Sequence, residues 1–178
     1  MRIIRGTHRG RKINPPPNLP VRPTTDLAKE SLFNILENHL YFEDLKVLDL
    51  YAGTGSISYE FASRGSTQVI AVDINPQCIR FIVETATKLG FGQLKAVRSS
   101  SLGFLDHCST RFDLIFADPP YDLEGVEEIA RVTFDKDLLN DGGWLVIEHP
   151  AEKDLSELPG FFEKRNYGKV NFTFFRKK

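Results

Sequence analysis

The sequence predicts an α/β protein with a doubly wound, mostly parallel sheet of seven strands, closed by a C-terminal antiparallel hairpin. From residue 46 onward, short apolar runs alternate with helical patterns. The runs are apolar at nearly every position, which is typical of parallel strands that helices cover on both faces. The chain has 178 residues, of which 41% are hydrophobic, and this size suits a single core.

The first 25 residues differ from the rest in charge and in proline content. They carry a charge of +6 and no acidic residue, whereas residues 26–178 carry −7 and the whole chain −1. Five of the ten prolines lie between residues 14 and 23, where they favour a semi-rigid loop. We therefore predict a basic arm and Pro-rich loop over residues 1–25, in which residues 2–13 have the pattern of a short hairpin, and one domain over residues 26–178.

The remaining elements follow in order. A helix is predicted from about residue 26 to 39, because Thr24, Thr25 and Asp26 offer an N-cap and leucines follow at helical spacing. Strands are predicted over residues 47–50, 69–72, 94–97, 112–117 and 143–148, and helices around residues 57–62, 76–89 and 126–134. Residues 161–167 and 170–175, joined at Gly168 and Lys169, predict the closing hairpin.

Cysteine spacing and hydropathy argue against several classes of protein. Cys78 and Cys108 lie 30 residues apart with no metal-binding spacing, so we expect reduced thiols and no metal site. Met1 is followed by charged residues, and no apolar stretch approaches the ~18 residues of a membrane span. We expect a cytoplasmic protein that does not bind a membrane.

The residues that follow each strand are the first candidates for a site, because doubly wound sheets bind ligands beyond the carboxyl ends of their strands. Gly53 and Gly55 follow the first strand and allow a tight turn close to a ligand. Ser58 stands where the dinucleotide fingerprint has its third glycine, which disfavours a pyrophosphate but not an adenosine. Asp73 ends the second strand, where an acid either accepts hydrogen bonds from ribose hydroxyls or serves as a turn residue.

The third and fifth strands end in less specific residues. Ser100 lies in a run of serines whose hydroxyls either contact an adenine edge or cap the next helix, and we favour the cap. Glu148, at the end of the fifth strand, either faces the same cleft or caps a helix.

The fourth strand ends in Asp118-Pro119-Pro120-Tyr121, the most specific motif of the chain. Two prolines remove backbone donors and stiffen the loop, which leaves carbonyl groups and the Asp118 carboxylate as acceptors beside an aromatic ring. Such a pocket suits a planar group with an exocyclic amine, such as a nucleobase. A rigid surface turn is the alternative interpretation.

Together these motifs resemble the class I S-adenosylmethionine-dependent methyltransferases that act on exocyclic amines. The resemblance rests on D-x-x-A-G-T-G at residues 49–55, on Asp73, and on D-P-P-Y at residues 118–121. Further segments, among them R-P-T-T-D at residues 22–26 and L-F-N at residues 32–34, are similar to the RsmD-type enzymes, which methylate a guanine N2 of bacterial small-subunit ribosomal RNA. Two residues depart from the family pattern: Leu27 replaces a frequent arginine, and Ser100 replaces an Asp or Asn that commonly contacts adenine.

The resemblance implies a Rossmann-like methyltransferase fold and assigns roles to individual residues. The residues implied to bind the cofactor are Asp49, Tyr51, Ala52, Gly53, Gly55, Asp73 and Ser100. Asp118, Pro119 and Tyr121 are implied to hold the target base, and we predict them to be catalytic. The R-P-T-T segment is expected to lie over the cleft, with Arg22 and Thr24 near the RNA. The residues expected to contact RNA phosphates are Arg2, Arg5, Arg9, Arg11 and Lys12.

We therefore expect S-adenosyl-L-methionine as cofactor, a monomer, and 16S ribosomal RNA as partner, either naked or in the assembling small subunit. A DNA adenine-N6 methyltransferase is the alternative enzyme, but 178 residues leave no room for its usual target-recognition domain. A protein glutamine methyltransferase usually has Asn where this chain has Asp118. A non-catalytic RNA-binding module with a relic cofactor cleft is the alternative outside the enzymes.

Overall fold

The computed structural model describes residues 1–17, 19, 25–121, 125–168 and 170–178. The helices are α1 (Asp26–Glu37), α2 (Ser56–Ser63), α3 (Pro76–Leu89), α4 (Ser101–His107) and α5 (Val126–Asp135). The strands are β1 (Lys46–Leu50), β2 (Gln68–Asp73), β3 (Leu94–Arg98), β4 (Phe112–Ala117), β5 (Leu139–His149), β6 (Phe161–Tyr167) and β7 (Val170–Arg176).

The seven strands found in the described residues form one sheet with the order β3-β2-β1-β4-β5-β7-β6. The first five strands in that order are parallel, and the β6–β7 pair is antiparallel, with β7 also antiparallel to β5. The predicted doubly wound sheet with a C-terminal hairpin is therefore confirmed. The chain reverses its direction of winding between β1 and β4, so the crevice expected to bind a ligand lies at the carboxyl ends of these two strands.

Each face of the sheet is covered by its own set of helices. One apolar cluster joins α1, α2 and α3 to the sheet through residues such as Phe33, Phe61 and Ile82. The other joins α4 and α5 to the opposite face through Leu105 and Ile129. The continuous apolar runs of the inner strands are explained by this double cover, because both faces of each strand lie in a core.

Two element boundaries differ from the prediction by more than one residue. Helix α1 ends at Glu37 rather than at residue 39, because the Asn38 amide turns back to the carbonyl groups of Ile35 and Leu36. Strand β5 begins at Leu139 rather than at residue 143, because Leu139 pairs with the start of β4 before the register shifts. The residues after Leu139 are polar or glycine, so a search for apolar runs places the start of the strand too late.

The first 13 residues form a hairpin that packs against the body of the protein. Arg2 and Lys12 form an antiparallel bridge, as the hairpin pattern predicts. Ile3 and Ile13 are buried in the same cluster as α1 and α2. The Thr7 amide donates a 2.8 Å hydrogen bond to the Ser63 carbonyl at the end of α2. The hairpin is thus an integral part of the core rather than a free extension.

The described helices include none with both the length and the apolar composition needed to cross a membrane.

Candidate active site

The strand registers bring the predicted site residues to one edge of the sheet. Leu50 of β1 pairs with Val72 of β2 on one side and with Ala117 of β4 on the other. Ala117 in turn pairs with Ile147 of β5. Tyr51 and Asp118 directly follow β1 and β4, and Asp73 and Glu148 lie in the last two residues of β2 and β5. These four residues therefore lie side by side along the carboxyl edge.

The turn after β1 has the backbone geometry that its glycines predict. Gly53 and Gly55 have φ angles of 54° and 80°, in the left-handed region that favours glycine. A Cβ on Gly55 would lie 2.7 Å from the Tyr59 ring, so the position also requires a glycine for space. Tyr51 has φ 59°, which is a strained conformation for a bulky residue and one that tends to occur at functional sites.

The Asp73 carboxylate holds this turn in place. Its Oδ2 accepts a 2.8 Å hydrogen bond from the Gly53 amide, and its Oδ1 accepts one of 2.8 Å from the Asn75 amide. A carboxylate has about four acceptor positions, so both oxygens keep capacity for further donors. Asp73 thus serves as a turn residue, as one of the two interpretations predicts, and the ribose contact of the other interpretation stays a prediction.

Asp49 lies beneath the turn and is buried. Its Oδ2 accepts a 2.5 Å hydrogen bond from the Ser58 hydroxyl of α2. Burial raises the pKa of Asp49 to about 7, although the hydrogen bond from Ser58 opposes the shift. Ser58 therefore has a structural use at the position where a dinucleotide fingerprint would have glycine.

The loop after β4 forms the other half of the site. Asp118 is half-buried, Pro119 is buried and Tyr121 is 47% exposed. The pKa of Asp118 is raised well above its usual range, first by burial and then by the negative charges of Glu148 and Asp49. The Tyr121 hydroxyl donates a 3.1 Å hydrogen bond to Oε1 of Glu148, which joins the end of β5 to this loop.

Glu148 faces the cleft rather than capping a helix. It is 5% exposed, and its Oε2 has no hydrogen-bond partner among the described residues. Burial raises the pKa of this carboxyl group, and the hydrogen bond from Tyr121 opposes that shift. The sequence left both interpretations of Glu148 open, and the pairing of β5 with β4 decides between them.

Ser100 has the helix-cap role that we favoured. Its Oγ accepts a 3.2 Å hydrogen bond from the Gly103 amide at the start of α4. It also lies on the carboxyl edge, because the neighbouring Ser99 amide donates to the Asp73 carbonyl at 3.1 Å. A contact with adenine remains a prediction for Ser100.

A buried network of charges, which the sequence pattern does not predict, attaches the N-terminal hairpin to α1 and α2. Lys29 is buried, and its Nζ donates to the Arg2 carbonyl at 2.6 Å and to the Ser56 hydroxyl at 3.1 Å. Glu60, also buried, lies 3.8 Å from Lys29 Nζ and accepts a 2.9 Å hydrogen bond from Arg64. The available signal was the position of Lys29 within the apolar stripe of α1, between Ala28 and Leu32.

This network also fixes the hairpin relative to the glycine turn. Glu60 accepts hydrogen bonds of 2.8 Å and 3.0 Å from the amides of Ile4 and Arg5. Burial lowers the pKa of Lys29, while the negative charge of Glu60 acts in the opposite direction. Because Ser56 begins α2 directly after Gly55, Lys29 links the hairpin to the first residue of the helix that follows the turn.

The basic residues of the hairpin divide into two groups. Arg2 lies 3.4 Å from Asp26, and Arg5 lies 2.8 Å from Glu37, so each is partly neutralised by an acid. Arg9, Arg11 and Lys12 are exposed and form no ion pair within the described part of the chain. Arg22 and Thr24 lie outside the described residues. Thr25 is the N-cap of α1, with its Oγ1 accepting from the Ala28 amide at 3.2 Å.

The donor and acceptor set fits S-adenosylmethionine. Asp73 offers carboxylate oxygens to ribose hydroxyls, and the glycine turn lets a ligand approach the backbone closely. Gly55 is the N-cap residue of α2 and provides no side-chain hydrogen bond to the first amides of this helix. In contrast, no group of three His, Cys, Asp or Glu side chains among residues 1–17, 19, 25–121, 125–168 and 170–178 is arranged to hold a metal ion.

Comparisons with known proteins agree with this geometry. Residues 1–176 match the family model described as "Conserved hypothetical protein 95". The chain is 30% identical to ribosomal RNA small subunit methyltransferase D of Escherichia coli, over 89% of this chain and 79% of that protein. It is also 30% identical to the protein of the same name from Haemophilus influenzae, over 87% of this chain and 81% of that one.

A solved structure extends the likeness to the fold. The hypothetical protein TTHA0928 of Thermus thermophilus superimposes with a TM-score of 0.84 at 27% identity, covering 98% of each chain. The resemblance drawn from the motifs is thereby confirmed. The chain belongs to the family of ribosomal RNA small subunit methyltransferase D, that is, to the RsmD-type methyltransferases.

Proposed function

We propose that this protein transfers the methyl group of S-adenosylmethionine to the exocyclic N2 of a guanine in 16S ribosomal RNA. Its family supports ribosomal RNA methylation, and the choice of guanine N2 is our own step. The observation that carries the proposal is the placement of Asp118-Pro119-Pro120-Tyr121 beside the glycine turn braced by Asp73. An acceptor-rich pocket for an amine thus lies next to a site suited to the methyl donor.

The cofactor would be held by the residues at the ends of β1, β2 and β3. Asp73 would accept the ribose hydroxyls, and Gly53 and Gly55 would allow close approach to the backbone. Tyr51, Ala52 and Ser100 lie on the same edge, and Asp49 supports the turn from below through Ser58. When bound, S-adenosylmethionine supplies a sulfonium methyl group that is already a good electrophile.

The task left to the protein is to prepare the guanine amine, whose lone pair is delocalised into the ring. Asp118 and the carbonyl group of Pro119 would accept the two amine protons and orient the nitrogen. Tyr121 would stack on the base from the exposed side of the pocket. Positioning supplies most of the acceleration in this scheme, and the proton that leaves the amine passes either to Asp118 or to water.

The N-terminal residues 1–25 would bind the RNA around the target nucleotide. Arg9, Arg11 and Lys12 are the best candidates for phosphate contacts, because Arg2 and Arg5 already face acids. We also assign Arg22 and Thr24 to this surface from their place in the R-P-T-T segment. A substrate of ribosomal RNA would place the enzyme in the cytoplasm.

Methylation of RNA from a strain that lacks the enzyme tests the proposal. The purified protein is incubated with labelled S-adenosylmethionine and either 16S RNA or small subunits from that strain. One portion of the RNA is digested to nucleosides to identify the product, and a second is cut by a ribonuclease so that mass spectrometry of the labelled fragment gives its position. We expect labelled N2-methylguanosine at one position, formed at least about 100-fold more slowly by an Asp118→Asn control. Labelled N6-methyladenosine would contradict the proposal, as would methylation that does not depend on Asp118.

A further inference from the structure

The Glu148 carboxylate is buried but only half of it is paired. Oε1 accepts the hydrogen bond from Tyr121, whereas Oε2 is without a hydrogen-bond partner among the described residues. A buried carboxylate oxygen without a donor costs free energy, and such groups in native proteins usually have a reason. The reason can be a donor that arrives with a ligand.

The position of Glu148 points to the target base rather than to the methyl donor. Ile147 pairs with Ala117, so Glu148 lies next to Asp118 at the carboxyl edge of the sheet. The negative charge of Glu148 contributes to the raised pKa of Asp118, as expected for two neighbouring carboxyl groups. Asp73, the residue expected to hold the ribose, lies on β2, beyond β4 and β1 from this strand.

The edge of a guanine offers three donors, namely N1–H and the two hydrogens of the N2 amine. Asp118 and the Pro119 carbonyl group account for two acceptors, and Glu148 Oε2 is a third. Adenine has an acceptor at N1, so a carboxylate at that place would face a lone pair. We propose that Glu148 selects guanine by accepting the N1–H of the target base through Oε2, an inference that rests on the function proposed above.

Tyr121 would then have a second use besides stacking. Its hydroxyl fixes one carboxylate oxygen of Glu148 and leaves the other oxygen for the base. Tyr121 is therefore a positioning residue for Glu148, and loss of its hydroxyl should weaken the selection without abolishing it.

Replacement of the target guanine by 2-aminopurine removes the N1 donor. This base keeps the N2 amine but has an acceptor at N1 and no oxygen at C6, so the effect of N1 is obtained by comparing enzyme variants on the same two RNAs. The nucleotide identified by the methylation experiment is replaced by 2-aminopurine in ligated 16S RNA, and kcat/KM is measured for both RNAs. We expect the wild-type enzyme to prefer guanine by about 100-fold or more, because a site built to accept a proton rejects an analogue that lacks it. A preference below about 3-fold would overturn the proposal.

A Glu148→Gln variant should change the preference itself. The glutamine amide can donate to N1 of 2-aminopurine, so the ratio of the two kcat/KM values should fall to within about 10-fold. The lost O6 and any difference in the reactivity of the two amines affect both enzymes equally and cancel from this comparison. Glu152→Gln, an exposed residue shortly after β5, is the matched control and should keep the wild-type ratio.

Two further measurements distinguish a loss of guanine selection from a general loss of structure. Binding of S-adenosylmethionine, measured by calorimetry, should be unchanged in Glu148→Gln. If that variant does not fold, Tyr121→Phe replaces it. Its ratio of kcat/KM for the guanine RNA over the 2-aminopurine RNA should be lower than the wild-type ratio but greater than 1. An unchanged preference in whichever variant folds would overturn the inference. Failure of the wild type to form N2-methylguanosine would instead refute the proposed function. Nucleoside analysis of the wild-type product therefore distinguishes a wrong function from a wrong role for Glu148.

Discussion

The Gly53 amide donates a 2.8 Å hydrogen bond to Asp73 Oδ2, so the acid at the end of β2 directly shapes the turn at the end of β1. Asp73 thus braces the backbone of this turn, and we predict that its oxygens also accept hydrogen bonds from the ribose of the cofactor. Each hydrogen bond to a charged group contributes about 1.5–3 kcal/mol.

Replacement of Asp73 by alanine should weaken the binding of S-adenosylmethionine by about 10–100-fold, measured by isothermal titration calorimetry. Asp113→Ala is the matched control, because Asp113 likewise accepts a 2.8 Å hydrogen bond from a backbone amide, that of Lys46 at the other end of β1. The control should lose stability but keep its affinity. Equal affinities in the two variants would show that Asp73 does not belong to the cofactor site.

Asp118→Asn should reduce kcat by about 10²–10³-fold while leaving S-adenosylmethionine binding unchanged, because an amide is a weaker acceptor for the amine protons. The wild-type kcat/KM should rise with pH, because only the carboxylate form accepts these protons and its pKa is raised by burial, Glu148 and Asp49. A variant with near-normal turnover would rule out this role.

The same substitution should stabilise the protein at pH 8. Because the pKa of Asp118 is higher in the folded state than in the unfolded chain, the folded protein holds this proton more tightly, and stability falls as pH rises through the raised pKa. Removal of the charge should raise the free energy of unfolding by about 1 kcal/mol, and Tm by about 2–4 °C. Thermal unfolding at pH 4 and pH 8 measures this effect, which should be smaller at the lower pH, near the pKa of the unfolded chain.

Asp49 should give the protein a second pH dependence. Its pKa is about 7 in the folded state against about 4 in an unfolded chain, so stability should fall as pH rises from about 4 to about 7. Asp49→Asn keeps an acceptor for Ser58 and should remove up to about 4 kcal/mol of this dependence, as urea unfolding across that range would show. Asp106→Asn, at an exposed position on α4, should follow the wild-type curve.

Lys29→Met should lower the free energy of unfolding by about 2–4 kcal/mol, because it removes one partner from a buried charge network. Arg80→Met, which breaks only an exposed pair with Glu84 on α3, should cost less than about 0.5 kcal/mol. Hydrogen exchange should also show faster opening of the N-terminal hairpin in Lys29→Met. Similar losses in the two variants would mean that the buried network adds little.

Simultaneous replacement of Arg9, Arg11 and Lys12 by glutamine should flatten the salt dependence of RNA binding, reducing the slope of log K against log salt by about 2. A deletion of the hairpin is a poorer test, because Ile3 and Ile13 belong to the core. The control replaces three exposed cations outside the hairpin, which are Arg131 and Lys136 at α5, on the opposite face of the sheet, and Lys178 near the end of β7. An unchanged slope in the hairpin variant would remove these residues from the RNA-binding surface.

The sequence by itself determined where the strands lie and which candidate site residues stand at their ends. Apolar runs locate the strands, and glycine, proline and acid residues directly after them mark the carboxyl edge, because turn geometry and backbone hydrogen bonding depend on local residue types. Gly53, Asp73 and Asp118 could therefore be identified before the fold was known. The cap at Thr25 followed from the same kind of local rule.

Only the tertiary structure decided which distant groups meet. Glu148 faces Tyr121 across 27 positions of the chain, and Lys29 meets Glu60 inside a core whose sequence pattern is apolar. A charged residue reads as exposed in sequence because an isolated buried charge is costly, and only a partner from another element makes its burial tolerable. That pairing depends on strand register and helix packing, which no local pattern encodes.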